Sequence, residues 1–354
     1  MTSWAVEPQL RDPVLVCAFE GWNDAANAAS DALRFLIRQL NATDIGGLDA
    51  EEYFDFQAAR PHVEISNGVV KRVRWPNTRF AIARVARSSR DFVLVLGVEP
   101  NLRWPTFCAE ILRLGTDLGC SMVVTLGALI AHVPHTRPVR VTGTADTDLA
   151  QQLDLQRSQY EGPTGIVGTL TDASRRAGLE TVSLWAPVPR YVATPPSPMA
   201  THALLDRLTR LTGIPLPLQS LEIAGRGWQQ HVDAAIDDDN LRQWIRELES
   251  NYDEEADEIA MFGDLVDDDE ITFDEWDDEW DDEDDDFVDF DEPDVIADSN
   301  TAETIAMLAE ELAELDEADL EDDDEIDEDD LPTGDALAKE LERFLREQND
   351  DDQP

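Results

Sequence analysis

Charge is divided along this chain more sharply than any other property. Residues 1–236 hold 22 Lys+Arg against 24 Asp+Glu, a net of −2, whereas residues 237–354 hold 5 against 54, a net of −49. A near-neutral segment can bury a core, while a run of like charges repels itself and resists compaction. The chain therefore reads as one folded body, expected over residues 10–252, followed by an acidic extension over 253–354. A body of about 240 residues is large enough to bury a sizeable core.

Several function classes are disfavoured at this level. A near-neutral body and an acidic extension are poor partners for phosphate backbones, so nucleic-acid binding is not expected. No apolar run approaches the roughly 18–20 residues of a membrane helix. The opening MTSWAVEPQLRDP lacks a basic stretch followed by an apolar one, so a cytoplasmic protein is expected. Cys17, Cys108 and Cys120 lie in apolar runs without C-x-x-C spacing and read as buried thiols.

The body alternates strand and helix patterns. PVLVCAF (13–19), DFVLVLGVEP (91–100), SMVVTLGAL (121–129) and TVSLWAP (181–187) are apolar runs of the kind that sheets bury on both faces. Between and after them AANAASDALRFLIRQL (25–40), TFCAEILRLGTDLG (106–119), GIVGTLTDASRRAG (165–178) and PSPMATHALLDRLTRLTG (196–213) read as helices. Asn23 or Asp24 is suited to cap the first of these. A short helix is also expected across 146–153, and 218–236 and 240–252 close the body as helices. VEISNGVVKRVRW (63–75) is an alternating hairpin with Asn67-Gly68 as its turn; with RFAIARVA (79–86) it suits an antiparallel flank. RPVRVTG (137–143) extends the pattern. The expectation is an α/β mixed sheet with helices on both faces.

Three stretches suggest sites. The loop Glu20-Gly21-Trp22-Asn23-Asp24 follows a buried strand, where α/β sheets place ligands, and Glu99 ends a second strand on the same edge. Glu20 and Asp24 could furnish two carboxylates to a pocket, or simply a turn and a helix cap. HVPHTRPVRVTGTAD (132–146) places His132 and His135 three apart with Pro134 between and no third ligand nearby, so no metal is expected. His135 and Arg137 there suit a pocket or a subunit interface. YEGPTGIVGTL (160–170) sets glycines around a helix start next to Tyr160, able to cradle an anion or to permit close packing. Neither a G-x-G-x-x-G, a G-x-x-x-x-G-K-[ST] nor a G-x-S-x-G string is present, and no cofactor or catalytic residue is assigned.

The extension carries two leucine-rich islands with helical spacing, near 301–315 and 335–347, through Leu308 and Leu312 and through Leu341 and Phe344. Short helices are marginal alone in water, so each is expected to fold only on a partner or on the body. Phe273, Trp276 and Trp280 stand within dense acid, a pattern able to capture a basic surface; the alternative is a solubilising tail. The body offers such a surface in Arg72, Arg74, Arg79, Arg84, Arg87 and Arg90, six arginines within 19 residues.

Four strings in order, GWNDAANAA (21–29), TLGALIAHVPHTRPVRVTGTA (125–145), YEGPTGIVGTL (160–170) and SLWAPVPRYVATPPSPMATHALL (183–205), resemble the actinobacterial branch of the proteasome assembly chaperone 2 family over residues 10–252. The resemblance implies a phosphorylase/hydrolase-like α/β fold and a non-enzymatic role, since eukaryotic and archaeal members bind proteasome α-subunits and assist ring assembly. Assembly-factor members can end in hydrophobic–tyrosine–any; this chain reads Asp352-Gln353-Pro354, so docking by that route is not expected. Where the bacterial branch is expected to read Pro-His-Tyr, this chain has Pro189-Arg190-Tyr191. The expected function is a chaperone-like or scaffolding protein, homo-oligomeric as a trimer, whose partners are proteins, proteasome subunits among them. The alternative is a small-molecule-binding protein or a hydrolase/phosphorylase-type enzyme using the cleft at the carboxyl ends of the strands.

Overall fold

The computed structural model describes residues 9–66, 69–86, 88–145, 156–157 and 162–263. The expected helix across 146–153, Tyr160, Arg87, the Asn67-Gly68 turn and the whole acidic extension beyond residue 263 lie outside the described residues. So do Phe273, Trp276, Trp280, Leu308, Leu312, Leu341 and Phe344.

The four apolar runs form the centre of one sheet: β1 (Val14–Glu20), β6 (Phe92–Val98), β7 (Met122–Ala131) and β10 (Glu180–Pro189). They pair in parallel in the order β6-β1-β7-β10. Period-2 alternation explains why these runs are apolar throughout. Val14, Val16 and Ala18 face one core, whereas Leu15, Cys17 and Phe19 face another on the opposite side. The first core is closed by α1 (Ala28–Gln39) and α5 (Pro198–Thr212), the second by α3 (Trp104–Asp117) and α4 (Ile166–Arg176). Helices on both faces of a mixed sheet are the architecture the sequence implies.

Antiparallel strands finish each edge. β5 (Thr78–Ala83) pairs with β6, and β2 (Thr43–Leu48) pairs with β5. At the other edge β8 (Thr142–Thr144) runs antiparallel to β10 and is followed by β9 (Gln156–Arg157). Most of 137–143 is thus irregular, and only its end joins the sheet. The hairpin β3 (His62–Ser66) with β4 (Val69–Arg74) departs from expectation: it forms a separate two-stranded sheet instead of flanking the main one. Its Val63, Ile65 and Val73 are exposed. The short helix α2 (Ala50–Tyr53) precedes it.

Helices α6 (Gln219–Ala235) and α7 (Asp239–Gly263) form a third cluster, joining Trp228, Val232, Ile245 and Leu248 to Tyr191. Asp238 starts α7 by accepting the N–H groups of Asn240 and Leu241 at 2.6 and 3.1 Å. That helix continues to Gly263, well past the residue 252 at which the apolar pattern stops. Among the described residues no helix is long and apolar enough to cross a membrane.

Candidate functional site

β1 is the topological switch point of the sheet. The helix after β1 lies on one face, while α4, the helix after β7, lies on the other. Chain ends diverging in this way leave a crevice in which α/β proteins bind ligands. In this chain the loop after β1 runs into it. The loop after β1 continues beside β7: Asp24 forms an isolated parallel bridge with Ala128, whose N–H donates to the Asn23 carbonyl at 2.8 Å.

Asn23 is buried, and its side-chain amide donates to Glu99 Oε1 at 2.7 Å. The same oxygen accepts the Ile166 N–H at 2.8 Å, placing a carboxylate at the N-terminus of α4. Gly165 makes the approach possible: a Cβ there would lie 2.3 Å from Asn23 Nδ2 and 2.6 Å from Glu99 Oε1. Here the glycine serves close packing.

Asp24 caps α1, as expected for this loop, with Oδ1 accepting from Ala29 and Ser30 N–H at 2.8 and 3.2 Å. The helix entry is distorted, since Ala26 and Asn27 have φ of 49° and 56°. Burial pushes the Asp24 carboxyl up to about 6, against the opposing pull of its bonds to Ser30 and Ala29. Glu20 turns instead to Arg34, which also holds Asp31 at 2.6 Å. Trp22 projects outward, 66% exposed. Asn23, Asp24 and Glu99 are thus brought together as structural ties, with Glu20 on a separate ion pair.

A second centre gathers around His135. Its backbone N–H donates to the Tyr191 hydroxyl at 2.8 Å, its Nδ1 lies 2.7 Å from the same oxygen, and its Nε2 lies 3.0 Å from Asp233 Oδ1. Gln229 Nε2 donates to the His135 carbonyl at 2.8 Å. Nearby, Arg137 donates to both oxygens of Asp253 at 2.9 and 2.7 Å and to Glu249 at 3.3 Å. The Arg140 guanidinium lies 3.5 Å from the Tyr252 ring centroid, and the Tyr252 hydroxyl donates to the Pro138 carbonyl at 2.8 Å. The 132–140 loop is thereby clamped beneath α6 and α7. Arg190, at the end of β10, is exposed.

His135, Arg137 and Ser197 also line a cavity of 280 Å³ beside the ends of β7 and β10. Serine, histidine and aspartate near one cavity invite comparison with acyl-transfer chemistry. The geometry argues against it. Both imidazole nitrogens of His135 are engaged by Tyr191 and Asp233, and Ser197 Oγ has no hydrogen-bond partner, so no base addresses that hydroxyl. Among the described residues no group of three or more His, Cys, Asp or Glu is placed to hold a metal.

Sequence reasoning missed Tyr191, Ser197, Trp228, Asp233, Glu249 and Asp253. All of these but Ser197, which lines the cavity, reach the 132–140 loop from 56 to 116 positions away, beyond any local spacing rule. The one available signal was the string Pro189-Arg190-Tyr191, whose tyrosine, and not its arginine, faces His135.

Known proteins agree with this architecture. A PAC2 family protein from Streptomyces avermitilis is 49% identical over 66% of this chain and 99% of its own, with a TM-score of 0.62. A proteasome-assembly chaperone homologue from Mycobacterium tuberculosis is 44% identical over the same shares, also at 0.62. PbaB, an archaeal proteasome activator from Pyrococcus furiosus, shares the fold alone at 16% identity, covering 66% of this chain and 96% of its own at a TM-score of 0.53. No curated protein matches the chain. Residues 18–236, from within β1 through the end of α6, match the PAC2 family, and the chain belongs to that family.

Proposed function

We propose that this chain is a non-enzymatic, cytoplasmic, chaperone-like protein that homo-oligomerises, as a trimer, and binds other proteins in the assembly or operation of the proteasome. The observation that carries the reading is its 44% identity, across 99% of that chain, to the proteasome-assembly chaperone homologue of Mycobacterium tuberculosis. The ties at the switch point support it, because Asn23 Nδ2, Asp24 Oδ1 and Glu99 Oε1 bond loop to helix. Fold likeness alone would not distinguish an enzyme from a binding protein.

Affinity capture of the full chain from its native cells, with light scattering on the purified protein, tests the proposal. Proteasome subunits should co-purify in proportion to the bait, and the mass should equal three chains. A monomer that enriches no proteasome subunit would overturn it.

A second reading, small-molecule binding or hydrolase-type catalysis at the carboxyl ends of the strands, draws support from the cavity lined by His135 and Arg137. It is weakened by the engagement of both His135 nitrogens and of Arg137.

A further inference from the structure

The β3–β4 hairpin stands apart from the main sheet as two strands, so among the described residues each strand has one edge without a β partner. Two strands alone are marginal in water, and an open edge offers its N–H and C=O groups to a further strand. The pairing of Val63 with Val73 and of Glu64 with Arg72 sorts the side chains by face. Val63, Ile65 and Val73 make an apolar face, 43–67% exposed, and half-exposed Trp75 follows the end of β4. Arg72 and Arg74 lie on the other face, both against Glu64.

Charge says what the open edge of β4 accepts. Residues 60–90 hold eight Lys or Arg and a single acidic residue, Glu64, a net of +7 within a segment 1–236 whose total is −2. Asp12 and Asp44 pair with Arg90 and Arg79, outside the hairpin. A second copy of the hairpin on this edge would set Lys71, Arg72 and Arg74 opposite their own kind, a destabilising arrangement. A nucleic-acid backbone would meet the charge and leave the apolar face uncovered. The strand that fits is acidic on one face and apolar on the other.

The chain itself supplies such a strand. An extended Phe287-Val288-Asp289-Phe290-Asp291 sets Val288 and Phe290 on one face and Asp289 and Asp291 on the other, and Pro293 ends the run. Phe273, Trp276 and Trp280 lack this alternation, being three and four apart. The 23 residues between Gly263 and Phe287 can reach about 80 Å. That is ample for a body of about 250 residues, whose radius of gyration is about 18 Å. Tethering also raises the effective concentration of the strand at the edge.

We propose that Phe287–Asp291 of the same chain adds to the open edge of β4 as a third strand, with Val288 and Phe290 beside Val73 and with Asp289 and Asp291 beside Arg72 and Arg74. This contact does not rest on the chaperone reading and stands or falls separately from it.

Hydrogen exchange at individual amides of the full chain tests it. The β4 amides that point away from β3, and the amides of 287–291, should exchange at least about tenfold slower than in the double variant Val288→Ser/Phe290→Ser. That variant keeps every charge and alters nothing in the body, so misfolding of the hairpin cannot mimic the result. Asp289→Asn/Asp291→Asn should lose protection at both places, whereas Phe273→Ser/Trp276→Ser should keep it. Protection should also persist on dilution, because the tether sets the local concentration. The proposal is overturned if these amides exchange equally fast in wild type and in Val288→Ser/Phe290→Ser, or if 287–291 exchanges at the rate of an unstructured peptide. It is equally overturned if protection of β4 fades on dilution, which would assign the edge to a second copy, or if only Phe273→Ser/Trp276→Ser removes it.

Discussion

The Tyr191 hydroxyl stands between two groups of one residue, accepting the His135 backbone N–H at 2.8 Å and lying 2.7 Å from His135 Nδ1. Because the hydroxyl accepts from the N–H, its own proton is free to go to Nδ1, which leaves the imidazole proton on Nε2, facing Asp233. A neutral ring thus satisfies every bond in the set. Burial lowers the His135 pKa and outweighs the opposing bond and charge of Asp233.

Tyr191→Phe should therefore destabilise the protein by about 1–3 kcal/mol, the cost of stranding buried polar atoms. Urea unfolding at pH 7.5 measures this. The folded pKa of His135 is depressed, so its contribution is complete above the unfolded value of 6.5 and declines as pH falls below it toward the folded value. Replacing His135 with Gln should flatten that part of the profile. An unchanged pH profile in this variant would show that His135 is not held neutral.

Asp24 has the opposite sign. Its folded pKa is raised to about 6 from 3.8, so the folded protein favours the protonated carboxyl. Stability from that preference is present below 3.8 and is lost as pH rises through about 6. Asp24→Asn keeps an acceptor for the Ala29 and Ser30 N–H groups and removes the charge. The stability of this variant relative to wild type should rise between pH 4 and pH 7.5 by on the order of 3 kcal/mol. Denaturant midpoints across that range give the answer, and a constant difference would refute a destabilised carboxylate.

Glycines in this chain should respond to alanine according to what surrounds them. Gly165→Ala would drive a methyl into Asn23 and Glu99, and displacing that pair should cost about 1–3 kcal/mol. Gly227 lies in α6 with no atom within 4 Å of the added methyl, so Gly227→Ala should instead stabilise by about 0.5–1 kcal/mol. Thermal or urea unfolding of the two variants should move in opposite directions.

What was legible in the sequence follows the same physics. β1, β6, β7 and β10 announce themselves because strands buried on both faces have no polar positions. β2 does not, since its sequence TDIGGL lacks strand propensity and its place is set by pairing with β5. Gly47 shows why: a Cβ there would lie 2.2 Å from the Thr78 carbonyl oxygen, so the close strand contact selects glycine. The cap role of Asp24 was local and readable, whereas the tie between Asn23 and Glu99 spans 76 positions. α7 runs past its apolar stripe, and where the stripe ends Arg137 and Arg140, far back in the chain, engage Asp253 and Tyr252.

The acidic extension gives the last prediction. Its spaced aromatics and leucine-rich islands are expected to dock on a basic surface, either a partner's or the arginine-rich flank of the body. In the structure Arg72 and Arg74 both contact Glu64, Arg79 contacts Asp44 and Arg90 contacts Asp12. Local carboxylates therefore compete for this flank, and the exposed Val63, Ile65 and Val73 add an apolar face beside it. Attraction over such a surface is screened with a Debye length of about 8–10 Å near physiological salt. Binding that depends on the extension should weaken steeply as salt rises from 50 to about 500 mM. The informative truncation ends after Gly263, because a cut after Tyr252 would also remove Asp253, the partner of Arg137. Adding residues 264–354 back as a separate chain should restore salt-sensitive binding to the truncated body or to its captured partner. Equal affinity and equal salt slope for full-length and truncated protein, toward every captured partner, together with no binding of the added segment, would reduce the extension to a solubilising appendage.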